Sequence, residues 1–145
     1  IMAGGTGGHV FPALAVADVL RSRGVPVVWL GSESGMEARL VPAHGFALET
    51  VAIRGLRGKG LLSWLGAPFR LLAAVHQARA IVRRVHPCAV LGAGGFAAGP
   101  GGIAARLARI PLLIHEQNAV PGLANRVLAG VAAFLWVAQR GSVVR

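Results

Sequence analysis

Short apolar runs alternate with helix-like segments along the whole chain of 145 residues, and this alternation constrains the fold more than any other feature. Apolar runs predict strands at Ile1–Ala3, Val27–Leu30, Phe46–Ile53, Ala89–Leu91, Pro111–Ile114 and Ala133–Val137. Helices are predicted between them at Pro12–Arg23, Met36–His44, Ala67–Val85, Ala98–Ala108 and Leu123–Leu128. Because such units build parallel sheets with right-handed crossovers, the sequence predicts an α/β fold with a Rossmann-like, doubly wound parallel sheet.

The chain length fits one domain, which we place at residues 1–145. The predicted helix Ala67–Val85 carries an apolar face at three- to four-residue spacing, formed by Leu71, Leu72, Val75, Ala78, Val82 and Val85. Ile1 is not a translation start, so we expect a few residues of the first strand to precede it.

Composition excludes several classes of protein. A single cysteine, Cys88, excludes an intrachain disulfide and a multi-cysteine metal site. The uncharged run 85–105 contains Pro87 and Pro100 and does not fit a membrane-spanning helix. The net charge of +10 predicts attraction to anions. No basic stripe interleaved with aromatic residues is present, so we expect no nucleic-acid partner.

Three loops follow predicted strands and carry the candidate chemistry. The first is Gly4-Gly5-Thr6-Gly7-Gly8-His9, which joins the first strand to a helix. Glycines let the backbone approach a ligand, and a helix N-terminus offers free amides, so the loop suits a diphosphate. It matches neither the GxxxxGK[ST] nor the GxGxxG spacing, and no acidic residue ends the second strand, so an NAD dehydrogenase is disfavoured. The alternative is a tight structural turn.

The second loop, Gly92–Gly102, is also rich in glycine and points to the same crevice. Its Phe96 is equally compatible with a ligand-facing role and with the core. The third loop, His115-Glu116-Gln117-Asn118, places four polar side chains at the end of an apolar strand, where they need partners. The alternative is a loop that bonds to its neighbours and caps the next helix. We expect the three loops to converge.

His9 is the histidine at a junction between a glycine loop and a helix, where a general base or a phosphate ligand could lie. His44, His76 and His86 are expected to be structural or surface residues. No metal site is predicted, because Asp18 is the only aspartate and Glu33 and Glu37 lack a neighbouring His or Cys. Those two glutamates are expected on a solvated helix face.

The segment 54–70 combines cations with large apolar residues: Arg57, Lys59, Leu61, Leu62, Trp64, Leu65, Phe69 and Arg70. This composition suits contact with an anionic membrane surface. An ordinary loop followed by the buried face of the long helix explains it equally well.

The motifs together resemble the peptidoglycan N-acetylglucosaminyltransferases of glycosyltransferase family 28. The resemblance covers Ile1 to about Ala133, in collinear order, through Gly4–Ala15, Gly55–Gly60, Gly94–Gly102 and His115–Asn118. It implies the N-terminal half of a GT-B glycosyltransferase, without the C-terminal domain that binds most of the donor. The implied reaction moves N-acetylglucosamine from UDP-N-acetylglucosamine to the muramyl 4-hydroxyl of undecaprenyl-diphosphate-linked muramyl pentapeptide, with inversion and without metal or cofactor.

The resemblance also implies roles for single residues. His9 would be the candidate base, with Glu116 as a second catalytic group that orients or binds the acceptor. Donor contacts would come from Thr6, Gly7, Gly8 and Asn118, and contacts to the acceptor diphosphate from Gly5, Gly94, Gly95, Phe96 and Gln117. The apolar and basic segment would rest on the cytoplasmic face of the bacterial membrane.

Two departures from the family pattern stand out. Phe96 lies where relatives often have Tyr, and the segment 134–145 follows the pattern poorly. We therefore expect the chain alone to bind donor weakly and to turn over little. The competing hypothesis is a non-catalytic Rossmann module that binds a nucleotide or a lipid diphosphate.

Overall fold

A computed structural model describes residues 1–53, 66–117, 122–130, 132, 134–137 and 142–144 of the chain. These residues form a seven-stranded sheet in the order β3-β2-β1-β4-β5-β6-β7. The strands are β1 Met2–Ala3, β2 Val28–Ser32, β3 Ala47–Val51, β4 Val90–Gly94, β5 Leu112–Glu116, β6 Phe134–Val137 and β7 Ser142–Val144. Strands β1 to β6 run parallel, and β7 pairs antiparallel with β6. The predicted doubly wound parallel sheet is confirmed, with the short edge strand β7 added to it.

The helices are α1 Gly7–Ser22, α2 Glu37–Ala43, α3 Ala67–Val85, α4 Ala98–Leu107 and α5 Leu123–Ala129. Helix α3 has the predicted bounds. Helix α1 begins five residues before the predicted Pro12, which lies inside it. Thr6 precedes α1 in an extended conformation, with φ −127° and ψ 157°, so the glycine loop turns directly into the helix.

Helices cover both faces of the sheet, and each face has its own apolar core. On one face α1 and α2 pack over β1 and β2, around Val10, Leu14, Trp29 and Val41. On the other face α3, α4 and α5 contribute to a second core. That core contains Met2, Leu30, Ala78, Val82, Ala104, Ala105, Ile114 and Leu128. Successive strand residues such as Trp29 and Leu30 face opposite cores, as expected for a strand buried on both sides.

The predicted apolar face of α3 is wrong at its N-terminal end. The buried residues of this helix are Ala74, Ala78 and Val82, whereas Leu71 is 43% exposed and Leu72 is 66% exposed. Helix α3 packs against the small residues of α4, and side chains as small as alanine allow close approach there. The leucines therefore lie outside the core of the described residues. None of the described helices is both long enough and apolar enough to cross a membrane.

Candidate functional site

Strands β1 and β4 lie side by side at the centre of the sheet, so the loops that follow them meet at its carboxyl edge. The amide of Gly4 donates to the carbonyl of Gly94 at 3.2 Å. Gly95 has φ +90°, and a Cβ there would lie 2.2 Å from the carbonyl oxygen of Gly4. This contact requires glycine, because the two backbones touch. It also lies where ligands bind in doubly wound sheets, at the point where the strand order reverses.

The N-terminus of α1 opens at this junction. Helix geometry leaves the amides of Gly7 and Gly8 without an intrahelical acceptor, whereas those of His9 and Val10 donate to the carbonyl of Thr6. Thr6 makes no side-chain capping hydrogen bond, and Thr6 and Gly8 are exposed. An exposed first turn with free amides and a partial positive charge is suited to bind an anionic oxygen.

The third loop joins the first two through Gln117, which follows β5. The Gln117 Nε2 group contacts Nδ1 of His9 and lies 3.3 Å from the carbonyl oxygen of Ala93. A Cβ at Gly94 would lie 2.7 Å from His9 Nδ1, so the absence of a side chain there makes room for the imidazole. The expected convergence of the three loops is thus present in the described residues around His9.

Glu37, at the start of α2, contacts the first glycine loop, although the sequence predicted it on a solvated helix face. Its side chain is 1% exposed. The carboxylate accepts hydrogen bonds from Gly5 N at 3.0 Å, Ser32 N at 2.9 Å and Ser32 Oγ at 2.6 Å. Burial alone would raise the pKa of Glu37, but these hydrogen bonds outweigh it and hold the pKa below its ordinary value of 4.5.

The burial of Glu37 depends on glycines that surround it. A Cβ at Gly4 or Gly35 would lie 2.4 or 2.1 Å from a carboxylate oxygen, and one at Gly31 would lie 2.6 Å from Cγ. Gly31 and Gly35, on either side of the end of β2, are the feature of the sequence that points to a buried Glu37, and the prediction of a solvated face did not use it. Because Glu37 already accepts the Gly5 amide, that amide is not free for the acceptor diphosphate, the ligand expected of Gly5.

Glu116 is fully buried at the end of β5 and bonds to the start of α5. Its Oε2 accepts hydrogen bonds from Asn125 Nδ2 at 2.9 Å and from Gly122 N at 3.1 Å. Asn125 is itself buried and also approaches the carbonyl of His115 at 3.4 Å. These contacts fit the alternative in which the polar stretch bonds to its neighbours and holds the next helix. With 0% exposure, the carboxylate presents no surface to a ligand in this domain.

The remaining predicted residues divide into two groups. Phe96 is 48% exposed, so it is not a core residue of this domain, and Phe69 at the start of α3 is 77% exposed. Arg70 beside Phe69 is exposed as well. Asn118 and the patch residues Arg57, Lys59, Leu61, Leu62, Trp64 and Leu65 lie outside the described residues. In the described ranges, no three His, Cys, Asp or Glu side chains are grouped closely enough to hold a metal ion.

An open, doubly wound sheet whose glycine loops meet at the strand-order reversal defines a Rossmann-like domain suited to nucleotides or diphosphates. Residues 1–135 match the N-terminal domain of glycosyltransferase family 28. The chain therefore belongs to glycosyltransferase family 28, as its N-terminal domain.

Similar proteins agree with this assignment. A Xylella fastidiosa protein is 58% identical over 144 residues, which are 99% of this chain and 39% of that protein. An Alkalilimnicola ehrlichii protein is 65% identical over 132 residues, 91% of this chain and 37% of that protein. Both are named UDP-N-acetylglucosamine–N-acetylmuramyl-(pentapeptide) pyrophosphoryl-undecaprenol N-acetylglucosamine transferase.

Two solved glycosyltransferase structures share the fold of this chain. Acinetobacter baumannii MurG superposes with a TM-score of 0.84 at 49% identity, over 94% of this chain and 40% of that one. The Streptomyces glycosyltransferase SsfS6 superposes with a TM-score of 0.61 at 21% identity, over 89% of this chain and 42% of that one, which shows the shared fold alone. The predicted fold class, the N-terminal Rossmann-like half of a GT-B glycosyltransferase, is confirmed. The chain spans 39% of the length of the Xylella protein, 37% of the Alkalilimnicola protein and 40% of Acinetobacter baumannii MurG.

Proposed function

We propose that this chain forms the acceptor-side domain of an inverting, metal-independent glycosyltransferase. The enzyme would move N-acetylglucosamine from UDP-N-acetylglucosamine to the muramyl 4-hydroxyl of undecaprenyl-diphosphate-linked muramyl pentapeptide. The observation that carries this proposal is the meeting of His9, Gly94 and Gln117 beside the open N-terminus of α1. Relatives named for this transfer support it.

In this proposal, backbone amides stabilise the negative charge of a diphosphate. The amides of Gly7 and Gly8 at the start of α1 would supply a partial positive charge without a metal ion. Gly94 and Gly95 would face the acceptor diphosphate, with Phe96 and Gln117 beside them. Thr6, Gly7, Gly8 and Asn118 would contact the donor from this side of the cleft.

The position of His9 is compatible with two roles in the reaction. It lies between the two glycine loops, within reach of a ligand that both loops contact. There it would either take the proton from the muramyl hydroxyl or donate a hydrogen bond to an oxygen of the substrate. Glu116 would act indirectly, because its hydrogen bonds to Gly122 and Asn125 hold the start of α5, and Gln117 follows Glu116 directly in the chain. We therefore give it a positioning role.

The start of α3 would face the cytoplasmic surface of the membrane. Phe69 is 77% exposed and Leu72 is 66% exposed, with the exposed Arg70 between them. Exposed aromatic and aliphatic side chains next to cations suit an interface that contains anionic lipid headgroups. The preceding segment, with Trp64 and Lys59, would extend this surface.

A chimera tests the proposed transfer. The chain would replace the matched segment of Acinetobacter baumannii MurG, and transfer of radiolabelled N-acetylglucosamine to the lipid-linked acceptor would be measured. We expect transfer by the chimera, a loss of at least about a hundredfold in His9→Ala, and little change in the control His76→Ala, an exposed residue of α3. A folded chimera without transfer, or an active His9→Ala variant, would contradict the proposal and favour a non-catalytic diphosphate-binding module.

A further inference from the structure

Gln117 links two elements of the site that are far apart in the sequence. Its Nε2 group contacts His9 Nδ1, 108 positions away, and donates to the carbonyl oxygen of Ala93 at 3.3 Å. Its Oε1 atom is buried and has no hydrogen-bond partner among the described residues. One amide nitrogen therefore faces both a peptide carbonyl and an imidazole nitrogen.

The carbonyl of Ala93 determines which way the amide of Gln117 faces. A peptide carbonyl only accepts hydrogen bonds, so the atom beside it must be the donor of the amide. Turning the amide over would place Oε1 against the Ala93 oxygen. It would also leave the Ala93 carbonyl without the hydrogen bond that it now accepts from Gln117 Nε2. Such an arrangement sets two acceptor oxygens against each other in a partly buried position, which is costly.

The tautomer of His9 follows from this orientation. With an N–H of Gln117 pointing at it, Nδ1 must carry the lone pair, and a neutral imidazole then holds its proton on Nε2. The Nδ1 edge of the ring also packs against Gly94, where a Cβ would lie 2.7 Å from Nδ1. Nε2 has no hydrogen-bond partner among the described residues, so it is the ring nitrogen left for a ligand.

We propose that Gln117 is a positioning residue that holds His9 in the Nε2–H tautomer. His9 would then meet its ligand as a hydrogen-bond donor to a phosphoryl oxygen and would take up no proton at Nε2. To accept a proton there, the neutral ring would need its hydrogen on Nδ1, directly against the N–H of Gln117. The identity of the ligand, a diphosphate of the donor or of the acceptor lipid, rests on the proposed function.

Nuclear magnetic resonance of the chain with ¹⁵N-labelled histidine tests the tautomer directly. The His9 signals would be assigned from their loss in His9→Ala and recorded at alkaline pH, where an imidazole ring is neutral. We expect the proton on Nε2. A proton on Nδ1 in the unsubstituted chain overturns the proposal without any further variant.

Gln117→Glu tests whether Gln117 sets the tautomer. A carboxylate accepts hydrogen bonds only, so we expect the His9 proton to move from Nε2 to Nδ1 in this variant. The matched control is Gln77→Glu, which makes the same change on α3, where Gln77 Oε1 accepts a hydrogen bond from Ala52 N at 2.8 Å. The control should leave the His9 signals unchanged. An unchanged tautomer in a folded Gln117→Glu variant would show that Gln117 does not control it.

Two ligands distinguish the sources of the phosphoryl oxygen. UDP represents the donor, and farnesyl diphosphate represents the lipid acceptor. We expect one of them to shift the Nε2–H signal of His9, and the one that does identifies the partner. No shift with either compound at saturating concentration would overturn the donor role of His9.

A conservative variant gives an independent measurement of the role of His9. In the chimera, His9→Gln places an amide donor near the position of Nε2 but offers no base. We expect His9→Gln to be about tenfold more active than His9→Ala, because one hydrogen bond to a charged oxygen is restored. Equal activities would overturn the donor role. A chimera without any transfer would contradict the proposed function but leave the tautomer measurement valid.

Discussion

The carboxylate of Glu37 accepts a hydrogen bond from the backbone amide of Gly5 at 3.0 Å. Gly5 has φ +86°, a conformation that glycine adopts without strain. The same carboxylate accepts two hydrogen bonds from Ser32 at the end of β2. A buried charge therefore ties the first glycine loop to the neighbouring strand, and it fixes the direction in which α1 begins.

We expect Glu37→Gln to lower the free energy of unfolding by about 2–3 kcal/mol at neutral pH. The amide has one acceptor oxygen where the carboxylate has two, so it leaves a buried donor unsatisfied. The matched control Glu33→Gln removes the same charge from an exposed residue and should change stability by less than about 0.5 kcal/mol. Urea unfolding of the three proteins measures the difference, and equal stabilities would contradict a structural role for Glu37.

The lowered pKa of Glu37 predicts how its contribution depends on pH. The folded-state pKa lies below the ordinary value of 4.5, which we take for the unfolded chain. The stabilisation is therefore complete above the unfolded pKa and is lost as the pH falls from about 4.5 through the folded pKa. The stability difference between the chain and Glu37→Gln should shrink over that range. A difference that stays constant down to pH 3 would exclude this linkage.

Gly95→Ala tests the contact between the two glycine loops. The added Cβ would lie 2.2 Å from the Gly4 carbonyl, at a backbone φ of +90°, so we expect a loss of about 2–4 kcal/mol in unfolding free energy. Gly99→Ala is the control, because nothing lies within 4 Å of its Cβ position and Gly99 is helical in α4. Alanine there should be neutral or stabilise by up to about 1 kcal/mol. Similar losses in both variants would mean that the Gly95 contact is unimportant.

Glu116 gives a test that separates positioning from catalysis. Glu116→Ala removes the acceptor for the buried Asn125 amide and the Gly122 amide, so we expect a loss of about 2–3 kcal/mol in stability. Glu116→Gln retains one oxygen that can accept both of these hydrogen bonds, so it should be more stable than Glu116→Ala and, in the chimera, retain transfer within about tenfold. A stable Glu116→Gln variant without transfer would instead identify Glu116 as a catalytic carboxylate.

The sequence predicted the parts of the molecule that depend on local patterns. Helix α3 and the doubly wound parallel sheet follow from apolar spacing and from the handedness of crossovers, which short segments encode. The positions of His9 and Gln117 followed from their loops, but the hydrogen bond between them joins residues that only the fold brings together. Glu37 was misplaced for a similar reason, because its partner Gly5 lies 32 positions away. Strand β7 was not predicted, because its three residues are too few to form an apolar pattern.

The exposed start of α3 predicts contact with a membrane surface. The sequence placed Leu71 and Leu72 in the core, yet they are exposed next to Phe69 and Arg70, which leaves apolar surface beside a cation. We expect the chain to sediment with phosphatidylglycerol vesicles and to be released by added salt, because salt screens the attraction of its cations to the lipid. Vesicles of phosphatidylcholine alone should bind it more weakly.

Removing apolar side chains from this surface should weaken the binding further. Phe69→Ala with Leu72→Ala should reduce vesicle binding by about tenfold, since two large side chains no longer enter the interface. Trp64→Ala with Phe69→Ala tests the preceding segment in the same way. The control is Leu107→Ala, a side chain that is 56% exposed at the end of α4. If the control weakens binding as much as the α3 variants do, or if none of them weakens it, then the start of α3 is not the membrane surface.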